Sequence, residues 1–576
     1  MEPDAATLFA TNCATCHFHE NDMRAPEPDA LRDMSRGVIY SALSNGPMRW
    51  EARSLSEAQK HTVADYLGKP MVTTTAKVVT ACGSDVEAVG GDLTWSGWGV
   101  GAANTRFQPR VAAKLDPDSV KNLTVKWAFG FPGAAATFGQ PTFYAGRLFV
   151  GSEDGTVYAL DAATGCIWWR FRASTTVKTA ISVDRQGKAA FFGDTNGFIY
   201  AVQVADGSQI WKVHPEGHPS ARITGSPLLV ANRLYVPISS GEEGASADPK
   251  YPCCTFRGAV VALDSATGKT IWKSYMIDDP AKPTRKNPQG IQYYGPNGAA
   301  VWSAPTADLK RRVIYVATGN NYSAPATDTS DAVIAIGMGT GKKLWHQQLT
   351  PKDVWNSGCV AEQKDACPKQ PGADYDFGSP PMLEHLPGGR DILVAAQKSG
   401  VVYGLDPDQQ GKIVWSHRIG HGGPLGGVQW GGTSDGRNAY FPLSDLDDDN
   451  PLLGGGLFAL RLRDGQQVWF TPPAKPACAR IYGCSAAQMA PPSAIPGVVF
   501  SGSLDGHLRA YDTNDGSVIW DFDTAREFPT TNGVPAHGGS MNGSGPTIVG
   551  GMVYVQSGYT NARDGNVLLA FSASPE

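Results

Sequence analysis

Two groups of cysteines in this chain have spacings that could do chemistry. The first is Cys13-Ala14-Thr15-Cys16-His17. Two thiols two residues apart, followed at once by histidine, form the attachment signature of c-type haem. Cys13 and Cys16 take the thioether bonds and His17 becomes an iron ligand. A thioredoxin-like dithiol would need a βαβ pattern around it, which is missing here. The second group is the adjacent pair Cys253-Cys254, which runs into Thr255-Phe256-Arg257-Gly258. Cys359/Cys367 and Cys478/Cys484 lie a few residues apart in Pro- and Gly-rich stretches, as short disulfide loops do. Cys82 and Cys166 are left over, either tethering a linker to the rest of the chain or free. This cysteine usage suits an oxidising compartment and predicts an exported, periplasmic protein whose leader is absent from the chain.

The elements that must position these residues fall into two parts. Residues 1–70 read as a small all-α domain. Ser54-Leu55-Ser56-Glu57 has the form of a capping box, and the helix after it places Val63, Tyr66 and Leu67 on one face. With the haem motif, this domain resembles class I cytochrome c. In that family a methionine shortly before the last helix is the second axial ligand. The resemblance implies that role for Met48, with Met23, Met34 and His19 as alternatives. Residues 71–95 show no helical period and read as a linker.

From residue 96 to 576 a unit recurs, in the form A-x-x-x-x-x-G-x-x-x-W. Its copies end at Trp169, Trp211, Trp272, Trp345, Trp415, Trp469 and Trp520, each four residues after a glycine. Each reads as strand, tight turn, strand. An eighth unit can be assembled from both ends, with Trp127 in an outer strand and the last strands of the chain inside it. This predicts an all-β, eight-bladed β-propeller closed by its two ends. The composition agrees: 41% hydrophobic and 18% charged residues, with 67 Gly, 41 Pro and 15 Trp. A net charge of −5 and the lack of a basic run argue against nucleic acid as a partner. No apolar run approaches the ~18 residues of a transmembrane segment.

A propeller with Trp motifs, a vicinal cysteine pair and a c-haem domain resembles the quinoprotein alcohol dehydrogenases, which use pyrroloquinoline quinone (PQQ) and calcium. The resemblance covers nearly the whole chain. It implies Asn320, in Ala317-Thr318-Gly319-Asn320, and Glu243, with Glu242 beside it, as calcium ligands; Glu and Asn oxygens suit a hard cation. It implies Trp302 as the indole stacked on the quinone, Thr224 on a quinone carboxylate and Lys398 on the quinone carbonyls. Asp374 is implied as the general base, with Asp376 beside the metal and Asp353 as the alternative base. Asn356 stands where the family carries an aspartate. Cys253 and Cys254 come after Glu243 rather than a blade before it, and are expected near the quinone; Lys178 is expected on a quinone carboxylate. The order of elements resembles a polymer-oxidising branch, with large inserts at Tyr275–Trp302, Trp355–Phe377 and Thr471–Pro492. The implied function is oxidation of a polymeric or small alcohol, with electrons passing through the haem to an external acceptor such as a soluble cytochrome c or a quinone. A non-enzymatic propeller scaffold is the reading from a different class.

Overall fold

The computed structural model describes residues 4–14, 31–32, 36, 39–40, 43, 48, 51–68, 81–83, 93–361, 363–446, 453–476, 478, 484–559 and 562–573. The repeats form an 8-bladed β-propeller. Blade 4 shows the pattern: Thr306–Asp308 is innermost, then Val313–Ala317, Ala332–Gly337 and, outermost, Lys343–Gln348 with Trp345. The two middle strands are buried, all but the last residue of the second, because both their faces are covered by neighbouring blades, so they read as apolar runs. Blade 8 joins the two ends of the propeller. Its outer strand Thr124–Gly130 pairs with Val567–Ser572 near the C-terminus, as the split repeat predicts. That pairing removes the open edges of a linear array.

The Gly-x-x-x-Trp spacing proves to be a device for docking one blade on the next. Trp169, Trp272 and Trp415 donate their indole N–H to Val204, Met338 and Leu462 carbonyls at 2.9, 3.1 and 2.8 Å, each in the following blade. The ring closes the same way, Trp520 reaching Leu123 O and Trp127 reaching Ala162 O, both at 3.1 Å. The next blade's repeat glycine lies on each indole face: Gly207 on Trp169, Gly341 on Trp272, Gly465 on Trp415. These glycines have φ between +70° and +75°. Only glycine supplies both that backbone and the flat surface the indole needs.

The segment from Thr94 to Gln108 enters the central channel. Thr94–Trp95 pairs with Tyr144–Phe143 of blade 1. Backbone N–H groups at Ala307, Leu383 and Ser434, in blades 4, 5 and 6, then donate to Ala102, Ala103 and Thr105 carbonyls. Arg106, fully buried, donates to Pro492 O at 2.8 Å, Trp98 O at 2.6 Å and Ser493 Oγ at 2.9 Å. Burial pulls its guanidinium down to about 9.

In the N-terminal region, helices Ala5–Asn12 and Glu57–Leu67 pack together through Leu8, Phe9, Val63 and Leu67. The capping box differs from the predicted one. Residues Glu51–Ser54 form a 3-10 turn, so the box is Ser56 with Gln59, whose side chain accepts from Ser56 N at 2.9 Å. Glu57 instead accepts from Tyr40 Oη at 2.7 Å. Cys13 and Met48 pack against one apolar cluster. Cys16, His17, His19, Met23 and Met34 lie outside the described residues. Among the described residues four disulfides are present: Cys82–Cys166, Cys253–Cys254, Cys359–Cys367 and Cys478–Cys484. Cys82 and Cys166 therefore tie the linker to blade 1.

The docking device is open to test by Gly465→Ala. The new Cβ would sit 2.4 Å from Trp415 Cε3 at a φ of +70°. Chemical denaturation is expected to show a loss of about 1–3 kcal/mol, from overpacking and backbone strain together.

Candidate active site

Chain direction sets where functional side chains can gather. The segment leading into each innermost strand and the loop between the second and third strands open at the same end of the propeller. Lys178, Thr224 and Trp302 each lie four residues before an innermost strand, at Ser182, Leu228 and Thr306. Asp376 precedes Met382 in blade 5, and Asn320 follows Val313–Ala317 in blade 4. Residues scattered over two hundred positions thus share one end.

At the centre of this group Lys398 is buried, with Nζ 3.2 and 3.3 Å from the two oxygens of Asp374 and 3.0 Å from Asp376 Oδ2. Burial works against its charge. The carboxylates of Asp374, Asp376 and Glu243 outweigh it and hold the ammonium well above its ordinary range. The same Nζ is 5.4 Å from the centre of the Trp302 ring. Trp302 is half-buried and Gly378 lies against its face, where a Cβ would come within 2.2 Å of Cη2. Asp376 Oδ1 accepts from Asn320 N at 2.7 Å. Burial, followed by the charges of Asp376 and Glu243, pushes the Asp374 carboxyl well up; Lys398 works the other way.

Two alternatives fare differently in this geometry. Asp353 accepts from Asp374 N at 3.2 Å with one oxygen and from Tyr375 N at 2.7 Å with the other. Asp374 itself is in a left-handed conformation (φ +57°), so the Asp353 carboxylate is engaged as a clamp on that backbone. Glu242 is similarly consumed. Its carboxylate accepts from Phe256 N at 2.6 Å, Thr255 N at 2.8 Å and Tyr251 Oη at 2.9 Å, tying the loop that follows the cysteine pair. Glu243 is the acid left available, with no hydrogen bond to its carboxylate among the described residues. Burial, then repulsion from Asp376, pushes it up to about 8.

The Cys253–Cys254 pair is buried directly behind this acidic turn, Cys254 Sγ lying 3.9 Å from Glu242 O and Cys253 Sγ 4.0 Å from Ser323 Oγ. The pair shares an apolar cluster with Tyr322, against which Trp302 packs. Its later position in the chain still brings it to this corner. Thr224 Oγ1 lies 2.8 Å from Ser239 Oγ, and Lys178 Nζ stands 4.0 Å over the Phe138 ring; neither touches the Lys398 group. Asn356, in place of the family's aspartate, donates to Tyr322 O at 2.7 Å and Ala366 O at 3.0 Å. Only an amide could make those two donations, so the residue staples the disulfide-bearing insert to the site.

The residues fit a hard cation. Asn320 Oδ1 is buried without a donor, while its Nδ2 is spent on Trp355 O at 2.7 Å. Among the described residues no three His, Cys, Asp or Glu side chains converge as a ready metal cluster; a cation here would draw on Glu243 together with the Asn320 amide. The half-exposed face of Trp302 and the amine of Lys398 fit a planar, carbonyl-bearing group.

Sequence reasoning missed Asp331. It is fully buried and both its oxygens lack a partner. Burial, then the charges of Asp376, Asp353 and Asp374, pushes it well up. In sequence it is an ordinary acid ahead of a strand. Because its folded pKa is raised, the folded state binds the extra proton between the unfolded and folded pKa values, and stability falls as pH rises through that window. In cofactor-free protein, Asp331→Asn is expected to raise the melting temperature, by more at pH 8 than at pH 5; equal gains at both would show that Asp331 is not protonated on folding.

Comparison with known proteins gives this geometry a family. A family model described as "Outer membrane protein assembly factor BamB" matches residues 84–282 and 485–574, and one described as "Glucose/ethanol/alcohol dehydrogenase, beta-propeller domain" matches 209–364. A polyvinylalcohol dehydrogenase of Pseudomonas sp. is 40% identical over 99% of this chain and 93% of its own length. One from Sphingopyxis sp. strain 113P3 is 37% identical over 99% and 92%. Among solved structures, the quinohemoprotein alcohol dehydrogenase ADHIIG of Pseudomonas putida HK5 superposes with a TM-score of 0.64 at 16% identity, covering 84% of this chain and 81% of that one. The propeller is therefore a dehydrogenase propeller rather than a bare scaffold, and the chain belongs to the polyvinyl alcohol dehydrogenases within the PQQ-dependent alcohol dehydrogenases.

Proposed function

We propose that this protein oxidises secondary alcohol groups, those of polyvinyl alcohol among them, to ketones at the Lys398 corner. The observation that carries the reading is the convergence of an unpartnered Asn320 amide oxygen, an available Glu243 and the Asp374–Lys398–Asp376 group beside the half-exposed Trp302. PQQ, when bound, supplies the hydride-accepting carbonyl. A calcium ion on Glu243 and Asn320, with Asp376 alongside, would supply Lewis-acid polarisation. A haem on Cys13, Cys16 and His17, with Met48 as second ligand, would supply one-electron transfer to an external acceptor.

The protein's own part is positional and electrostatic. Asp374 takes the proton from the substrate hydroxyl, and its raised pKa makes it a stronger base than a surface carboxylate. Asp353 fixes the backbone that carries it. Lys398 bridges the Asp374 and Asp376 carboxylates and would donate toward the carbonyl side of the cofactor. Trp302 gives the flat apolar floor, and Cys253–Cys254 closes the corner behind Glu243. Thr224 and Lys178, on neighbouring blades of the same end, are suited to carboxylates at the cofactor's rim. Four disulfides support a periplasmic location. No helix among the described residues is long and apolar enough to cross a membrane.

The test is to add PQQ and Ca²⁺ to the purified protein and supply polyvinyl alcohol or a small secondary alcohol while following the haem absorption bands. Reduction by alcohol is expected, and no reduction with any alcohol would overturn the reading. Asp374→Asn is expected to lower kcat by about 10²–10⁴-fold. Asp353→Asn is expected to lose less, since it retains one acceptor oxygen for the clamp.

A further inference from the structure

We infer that Trp430, Phe138 and Tyr559 form a binding track for the carbon chain of a polymeric alcohol, leading away from Trp302 across the same end of the propeller. This rests on the dehydrogenase reading above. Trp430 meets Trp302 edge-on, with ring centres 5.2 Å apart and planes at 88°. Its indole N–H donates to the side chain of Asn542. It thus leaves the pattern of the repeat tryptophans, whose N–H groups dock on backbone of the next blade. Phe138 stands 6.1 Å from Tyr559 in a T-shaped pair, and Lys178 Nζ caps its ring at 4.0 Å. Between the two pairs lies Gly543, where a side chain would begin 3.9 Å from both the Phe138 carbonyl and the Trp430 ring.

Trp430, Phe138 and Lys178 come from segments leading into innermost strands, as Trp302 does, so the band lies on the active end. All three aromatic residues are partly exposed, Trp430 and Tyr559 each resting one side on the apolar cluster of Ala487, Met489 and Leu504. A small alcohol reacting beside Trp302 would leave most of the band untouched. A chain of alternating CH₂ and CHOH units would lay methylene groups on successive rings and turn its hydroxyls away from them. Ring-to-aliphatic contact has no sequence to read, which suits a repeating, flexible ligand.

Two variants test the track: Phe138→Ala/Tyr559→Ala removes ring faces, and Gly543→Leu fills the gap between Phe138 and Trp430. Gly543 does not sit at positive φ, so the added side chain meets no backbone strain. Retardation of the cofactor-free proteins in gels containing polyvinyl alcohol reads binding without turnover; melting curves confirm that each variant folds. In both variants retardation is expected to weaken. In the loaded enzyme the ratio of kcat/KM for the polymer to that for a small secondary alcohol is expected to fall about ten-fold. Unchanged retardation and an unchanged ratio in folded variants would overturn the track. If the wild type oxidises no alcohol, the dehydrogenase reading fails by itself, while the gel still reports on polymer binding.

Discussion

An indole lying on a glycine is the contact on which this molecule is built. Blade after blade offers a tryptophan that finds a hydrogen-bond acceptor, a flat glycine surface, or both in the next blade. No blade satisfies its own tryptophan. The units therefore gain their packing only as a ring, and the pairing of Thr124–Gly130 with Val567–Ser572 leaves no terminal blade unpartnered. A rigid ring of this kind lets loops at one end carry strain and charge that an isolated sheet would not hold.

That tolerance is used at the active end. Asp331, Asp353, Asp374, Asp376 and Glu243 gather around one lysine, and burial disfavours the charge of Asp331, Asp353, Asp374 and Glu243. Removing charges from water costs several kcal/mol each unless partners repay it. The repayment is partial here: Lys398 serves two of them and backbone N–H groups serve Asp353, while Asp331 and Asn320 Oδ1 are left without donors. Such an arrangement is costly for the fold and useful for chemistry. In the proposed function it would pre-aim a base and leave oxygens open toward a cation.

The propeller was legible because its signal repeats: the glycine-to-tryptophan spacing recurs seven times, and each copy is enforced by the same interblade contact. That Asn320, Glu243, Trp302, Asp374, Asp376 and Lys398 gather at one end was to be expected only through resemblance, since nothing in the spacing of these residues shows that they meet. What resemblance could not supply was the use to which nearby acids are put. Glu242 and Asp353 look as available as Glu243 and Asp374 in sequence, and only backbone N–H groups folded against them show otherwise. Asp331 was invisible for the opposite reason: its importance lies in having no partner. Trp430 was not counted among the repeat tryptophans, yet nothing in its neighbours tells that it stands against Trp302.

The segment carrying Arg106 has a consequence for traffic. With ordered backbone bonded to several innermost strands and a guanidinium tied into carbonyls, the central channel is stoppered. The propeller has one doorway: whatever enters at the active end must leave by it. A long chain cannot be reeled through the hole like thread through a bead. Under the proposed function, a polymeric alcohol would lie across the mouth rather than pass through the ring.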